Sequence, residues 1–228
     1  MKLSDNDLLL LSHSAISAAL QAGKLIADYS KRDFSVERKT GGESEASQVV
    51  TEVDRLSQDL ILQILMPTCD IYDLGMLAEE SVDDGTRLEK DYFWCIDPLD
   101  GTLPFIEKNP GYSAVISLID RSGIPQIGVI YDPLKQNVYH AIKGQGAFLN
   151  GNVWEMPSAK EDGIFTFISD RRFAKNELFP QAMEELDKIV QEFGYKKVKR
   201  IMHGGGAMNA LWVLENFSAS YFKFPRVQ

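Results

Sequence analysis

The chain has 228 residues, 44% apolar and 25% charged, the mix of a globular protein long enough to bury a sizeable core. A formal net charge of −9 argues against a nucleic-acid polymer or an anionic membrane as the main partner, since both favour basic surfaces. It does not argue against a small phosphorylated molecule, because bound cations reverse the local sign. In chain order, residues 1–5 lack the basic region and small-residue cleavage site of a leader. No apolar run approaches the ~18 residues of a membrane span, so the expected location is the cytoplasm. Ser4-x-x-Asp7 reads as a capping box. Leu8, Leu11, Ile16, Ala19, Leu20, Ile26 and Tyr29 then keep helical spacing to about Ser30, predicting a long amphipathic helix packed on a sheet. Phe34, Val36 and Arg38 alternate as an extended piece, residues 39–45 form a loop, and residues 48–50 a short strand. Thr51 caps a second helix whose stripe, Val53, Leu56, Leu60, Ile61, Ile64 and Leu65, runs up to Pro67. Taken alone, Asp54 only completes that cap.

Residues 71–84 read as a strand running out into Glu79 and Glu80, with a turn at Asp83-Asp84-Gly85. Adjacent acids at a strand end are ordinarily solvated, with a metal ligand as the alternative. The segment 92–96 is a short buried strand. It turns at Pro98 and delivers Asp97 and Asp100, three residues apart, before Gly101 and Thr102 open a helix start. The cysteines, Cys69 and Cys95, form no Cys-x-x-Cys pair, which argues against zinc and against a disulfide framework. Strands at 113–119, 126–131 and 138–142 form an antiparallel meander, and Gly144, Gly146, Asn150 and Gly151 mark tight turns. The remaining third alternates: strand 164–168, helix 180–193, strand 197–202, the Gly204-Gly205-Gly206 triplet, helix 207–214 and strand 219–224. That rhythm fits an α/β layer.

Asp54, Glu79, Asp97, the Leu99 carbonyl, Asp100 and Thr102 together form a set of oxygen ligands suited to Mg²⁺. Two or more such ions can clamp a phosphoryl group and activate water. Thr102 with Asp54 is placed to hold that water, and the Gly101 and Thr102 N–H groups to hold phosphate oxygens.

The run Asp97-Pro98-Leu99-Asp100-Gly101-Thr102, with Thr51-x-x-Asp54 and Glu79-Glu80-Ser81 before it, resembles the inositol monophosphatase family of Mg²⁺-dependent, lithium-sensitive phosphatases. The ending Leu103-Pro104-Phe105-Ile106 looks more like the branch that hydrolyses 3′-phosphoadenosine 5′-phosphate, with Leu103 in place of that branch's lysine. The resemblance implies an αβαβα sandwich in one phosphatase domain over 1–228, with a metal-binding half to 155 and an incomplete half from 156. It implies two or three Mg²⁺ ions, with Li⁺ as inhibitor. Glu79, Asp97 and the Leu99 carbonyl would bind the first ion and Asp97 with Asp100 the second. Glu80 would support a weak third site, and Lys39 a flap. Gly205, Gly206 and Ala207 would lie along the substrate's sugar. A homodimer is common in the family. The resemblance also calls for a C-terminal Trp-Asp pair, but Trp94, Trp154 and Trp212 are followed by Cys95, Glu155 and Val213. The expectation is therefore impaired turnover, with a non-catalytic binder on the same fold as the alternative. A haloacid-dehalogenase-type mechanism is excluded, because Pro98 stands where its nucleophilic aspartate would be.

Overall fold

The chain's computed structural model describes residues 2–32, 36–38, 49–158 and 163–223. Helix α1 (Asp5–Tyr29) starts at the predicted capping box: Asp7 N–H donates to Ser4 Oγ at 3.2 Å, and Ser4 N–H to Asp7 Oδ2 at 2.9 Å. Its buried stripe of Leu8, Leu11, Ala15, Ala18, Ala19, Ala22 and Ile26 lies against α2 (Glu52–Tyr72) and the main sheet. Small residues allow that close approach. A Cβ on Gly23 would stand 1.9 Å from the Tyr131 ring. By length and composition alone α1 could cross a membrane, contrary to the expectation that no such run exists.

Strands β1 (Val36–Arg38) and β2 (Val49–Thr51) pair antiparallel. Phe34, the 39–45 loop with Lys39, and Phe224 lie outside the described residues. Helix α2 was expected to stop at Pro67 but continues to Tyr72. Proline removes one N–H from the helical ladder. Tertiary contacts hold the last turn regardless: Thr68 Oγ1 donates to the Leu65 carbonyl at 2.6 Å and accepts the buried Trp94 Nε1–H at 2.9 Å. The strand expected from residue 71 to run out into Glu79 and Glu80 is accordingly shorter, β3 (Gly75–Ala78). Asp83 and Asp84 lead into one helical turn, α3 (Thr86–Glu89), where Asp84 Oδ1 accepts the Thr86 N–H.

The main sheet has the order β3-β4-β5-β6-β7-β8-β9. Its strands after β3 are β4 (Tyr92–Asp100), β5 (Ser113–Asp120), β6 (Pro125–Asp132), β7 (Asn137–Ile142), β8 (Gly146–Leu149) and β9 (Asn152–Val153). Only the β3–β4 pair is parallel; the rest is the predicted meander, extended by β8 and β9 where only turns were expected. The turn expected at Pro98 is instead a register shift within β4, between Asp97 and Asp100. A five-residue helix, α4 (Thr102–Ile106), follows.

The second sheet, order β11-β10-β12, is wholly parallel: β10 (Ile164–Ser169), β11 (Lys197–Ile201) and β12 (Ala219–Phe222). Its helices are the short and unpredicted α5 (Arg171–Ala174), α6 (Phe179–Glu192) and α7 (Gly206–Leu214). Strand alternation divides the contacts. Ile168 faces α7, while Phe167 meets Phe173 and Met183 of α5 and α6. Helix α7 lies between the sheets: Met208, Leu211 and Trp212 pack with Tyr139, Ile130 and Leu149 on one side and Ile168 and Tyr221 on the other. The layers are α1/α2, main sheet, α7, second sheet and α5/α6, which is the expected αβαβα order. Glu215, at the end of α7, ties that helix to the β6–β7 hairpin by accepting from Tyr139 Oη and from Lys135 Nζ.

Candidate active site

The register of β3 against β4 brings the first acids together. Ala78 pairs with Ile96, and the Glu79 N–H extends the ladder to the Ile96 carbonyl at 3.1 Å. Glu79 and Asp97 therefore leave neighbouring strands side by side, their carboxyls within hydrogen-bonding reach. Gln58 of α2 holds the turn that follows, accepting the Glu80 N–H at 2.9 Å and donating to Ser81 Oγ at 2.8 Å. Gln58 was not singled out from the sequence; its position on a helix face gave no sign of a partner 22 residues away.

Asp54 caps α2 and also faces the site. Its Oδ2 accepts the Thr51 N–H at 2.8 Å and the Thr51 hydroxyl at 2.6 Å. Its Oδ1 accepts the Thr102 hydroxyl at 3.0 Å, and that hydroxyl also stands 3.2 Å from the Leu99 carbonyl oxygen. The cap and the Thr102 contact are thus compatible, each using a different Asp54 oxygen. Burial raises the Asp54 carboxyl above its ordinary range.

Asp97 is pushed well above the usual carboxylate range, first by desolvation and then by the charges of Asp100 and Glu79. Desolvation also raises Asp100, against the pull of two backbone donors. Those donors are the first N–H groups of α7: Gly206 N–H reaches Asp100 Oδ1 at 3.0 Å and Ala207 N–H reaches Oδ2 at 2.8 Å. The sequence placed Asp100 on a metal and Gly206 and Ala207 on the substrate; here they meet each other. Gly205 is required by the close approach, since a Cβ there would stand 2.5 Å from Asp100 Oδ2. Gly101, at φ +91°, makes the left-handed step between β4 and α4.

Glu79, Asp97, Leu99, Asp100, Gly101, Thr102, Gly205 and Gly206 line one cavity of about 440 Å³. Asp54 adjoins it through Thr102, and Ala207 through Asp100. The remaining wall comes from residues the sequence reading did not select: Asp170, Arg171, Arg172, Lys175, His203 and Lys223 among them. The available signal was their place after the carboxyl ends of parallel strands β10, β11 and β12, where open α/β sheets bind ligands.

The inositol monophosphatase family model matches residues 8–228. The chain belongs to the inositol monophosphatase family. An inositol-1-monophosphatase of Synechocystis sp. is 35% identical over 147 residues, 64% of this chain and 48% of the relative. The Nus factor SuhB of Escherichia coli is 34% identical over 138 residues, 60% of this chain and 49% of the relative. The solved structure of CysQ from Bacteroides thetaiotaomicron, a bacterial member of the family, is 26% identical with a TM-score of 0.65, covering 94% of this chain and 79% of that one. The chain spans about half the length of those two curated relatives.

The family is Mg²⁺-dependent and lithium-sensitive. Among the described residues, no three His, Cys, Asp or Glu side chains are grouped closely enough to hold an ion as they stand. The donor chemistry nevertheless fits Mg²⁺: the acids facing the cavity and the Leu99 carbonyl supply only oxygen, and the raised Asp97 is a carboxyl crowded by like charge. Lys39, assigned to a flap, lies outside the described residues.

Proposed function

We propose that this protein is a cytoplasmic, Mg²⁺-dependent phosphomonoesterase acting on a small phosphorylated metabolite. 3′(2′)-Phosphoadenosine 5′-phosphate is the first candidate, and an inositol monophosphate or sugar phosphate the second. The supporting observation is the convergence on one cavity of acids from β3 and β4, joined by Asp54 of α2 through the Thr102 hydroxyl. Glu79, Asp97 and the Leu99 carbonyl would hold one Mg²⁺, and Asp97 with Asp100 a second. When bound, the ions supply charge neutralisation at the phosphoryl group and lower the pKa of water. Because the Thr102 hydroxyl donates to Asp54, its lone pairs are left to accept from a water and orient it for attack. Thr51 fixes Asp54 from behind.

Phosphate release across the three substrate types, with and without Mg²⁺, tests the reading. Asp97→Asn is expected to lose nearly all Mg²⁺-dependent turnover; a rate near that of the unaltered protein would discard the site assignment. A second reading, binding without turnover, is favoured by Asp100, whose two oxygens are already engaged by α7. Calorimetry with Mg²⁺ and a substrate analogue separates the two, since tight binding without phosphate release supports the binder.

A further inference from the structure

Two short segments flank the acidic end of the cavity, 101–104 at the start of α4 and 203–206 at the start of α7. They lie against each other, since a Cβ on Gly205 would stand 2.8 Å from the Gly101 nitrogen. Between them they carry two polar side chains, Thr102 and His203; the rest is glycine, Leu103 and Pro104. The Thr102 hydroxyl is committed to Asp54. His203 has no part in the arrangement derived above, yet it lines the same cavity.

The buried Trp212 backs the His203 ring, with ring centroids 5.5 Å apart and planes at 60°. Arg171 is close enough to act on its charge, but both guanidinium ends of Arg171 donate to Glu107 at 2.5 Å. Asn109 Nδ2 donates to the same carboxylate at 3.1 Å. Among the described residues no hydrogen bond reaches either imidazole nitrogen. Desolvation, and then the Arg171 charge, hold the imidazolium below its ordinary range against the opposite pull of Glu107. The ring is therefore neutral near pH 7, with one N–H to give and one lone pair to take. A neutral ring beside an already paired cation is a poor partner for an anion. A hydroxyl, which also gives one hydrogen bond and takes another, is the matching group.

We infer that His203 is a specificity-determining residue that hydrogen-bonds a hydroxyl on the carbon next to the phosphate ester, so that the site prefers phosphomonoesters of vicinal diols to those of simple alcohols. The placement follows from chain length: His203 is two residues from Gly205, which abuts Asp100, and two residues span at most about 7 Å. This rests on the proposed reading of the acidic end as the place of the phosphate to be removed. The diol belongs to a ribose or to a polyol, and the test distinguishes them. Calorimetry in Mg²⁺ uses phosphonate analogues, which resist hydrolysis, in two sets that differ by one hydroxyl. One set compares adenosine 3′-phosphate with 2′-deoxyadenosine 3′-phosphate. The other compares the cis and trans cyclohexane-1,2-diol monophosphates with cyclohexyl phosphate. The hydroxylated member of at least one set is expected to bind about five-fold tighter or more, the worth of one ordinary hydrogen bond. In His203→Phe, which keeps a ring against Trp212 and removes both nitrogens, that ratio falls toward unity. In His203→Gln, which restores a donor and an acceptor, it stays above the His203→Phe value; equal loss in both assigns the effect to ring packing and overturns the hydrogen bond. Each ratio is taken on one preparation, and the calorimetric stoichiometry reports its competent fraction, so a variant that folds incompletely still yields its ratio. Equal affinities within both sets, or a preference untouched in His203→Phe, overturns the inference. Phosphate release from the true esters is measured separately. Preference without release overturns the phosphatase reading alone, release without preference overturns the role of His203 alone, and neither binding nor release overturns both.

Discussion

Helices α2 and α7 both begin at the site, and they are closed in opposite ways. The start of α2 is finished locally, by Thr51 and Asp54 within one turn of chain. The start of α7 has no cap of its own: Gly205 offers no side chain, and the Gly206 and Ala207 N–H groups go to Asp100 on the other sheet. The second sheet's helix α7 thus takes its start from the first sheet, through Asp100. Asp100 is also one of the acids that line the cavity.

Three substitutions probe that contrast. Trp94→Ala removes the largest fully buried side chain among the described residues and the Thr68 hydrogen bond, and is expected to cost about 3–5 kcal/mol in denaturant unfolding. A loss below ~1 kcal/mol, the size of an average substitution, would mean that Trp94 does not hold the end of α2 to the main sheet. Asp100→Ala leaves two α7 donors without their acceptor and is expected to cost about 1–3 kcal/mol. Amide exchange is to quicken at Gly206 and Ala207 but not at Thr51; equal quickening at both helix starts would erase the distinction. Phe193→Ser, at an exposed position, is expected to stay within ~0.5 kcal/mol. A larger loss would show that this surface is covered in solution.

What could be read from the sequence was local. The Ser4-x-x-Asp7 box, the alternating strands of the meander and the βαβ rhythm of the last third each carry their signal within a few residues. The acids at 54, 79, 97 and 100 were legible because strand ends and helix starts expose polar groups in a recognisable order. Pro67 misled, because its cost to the helix was judged without the Thr68–Trp94 contact that offsets it. β8 and β9 were hidden by glycines and asparagines that mark turns, and the short strands between those turns were too brief to show alternation. The Asp100–α7 contact, the Gln58 support and the cationic wall join segments far apart in the chain, and no local pattern encodes such meetings.

The irregularity in β4 sets where the chain tolerates a change in length. Between Asp97, opposite Val115, and Asp100, opposite Ser113, the ladder skips, and this offset aims both acids into the cavity. One residue added or deleted at Pro98 or Leu99 would swing one acid to the reverse side of the strand. At Gly144 and Gly151, where an added Cβ would meet nothing within 4 Å, the hairpins have room for extra residues. A tag or reporter spliced into this protein therefore belongs in the outer hairpins, and the six residues from Asp97 to Thr102 should be kept at their present number.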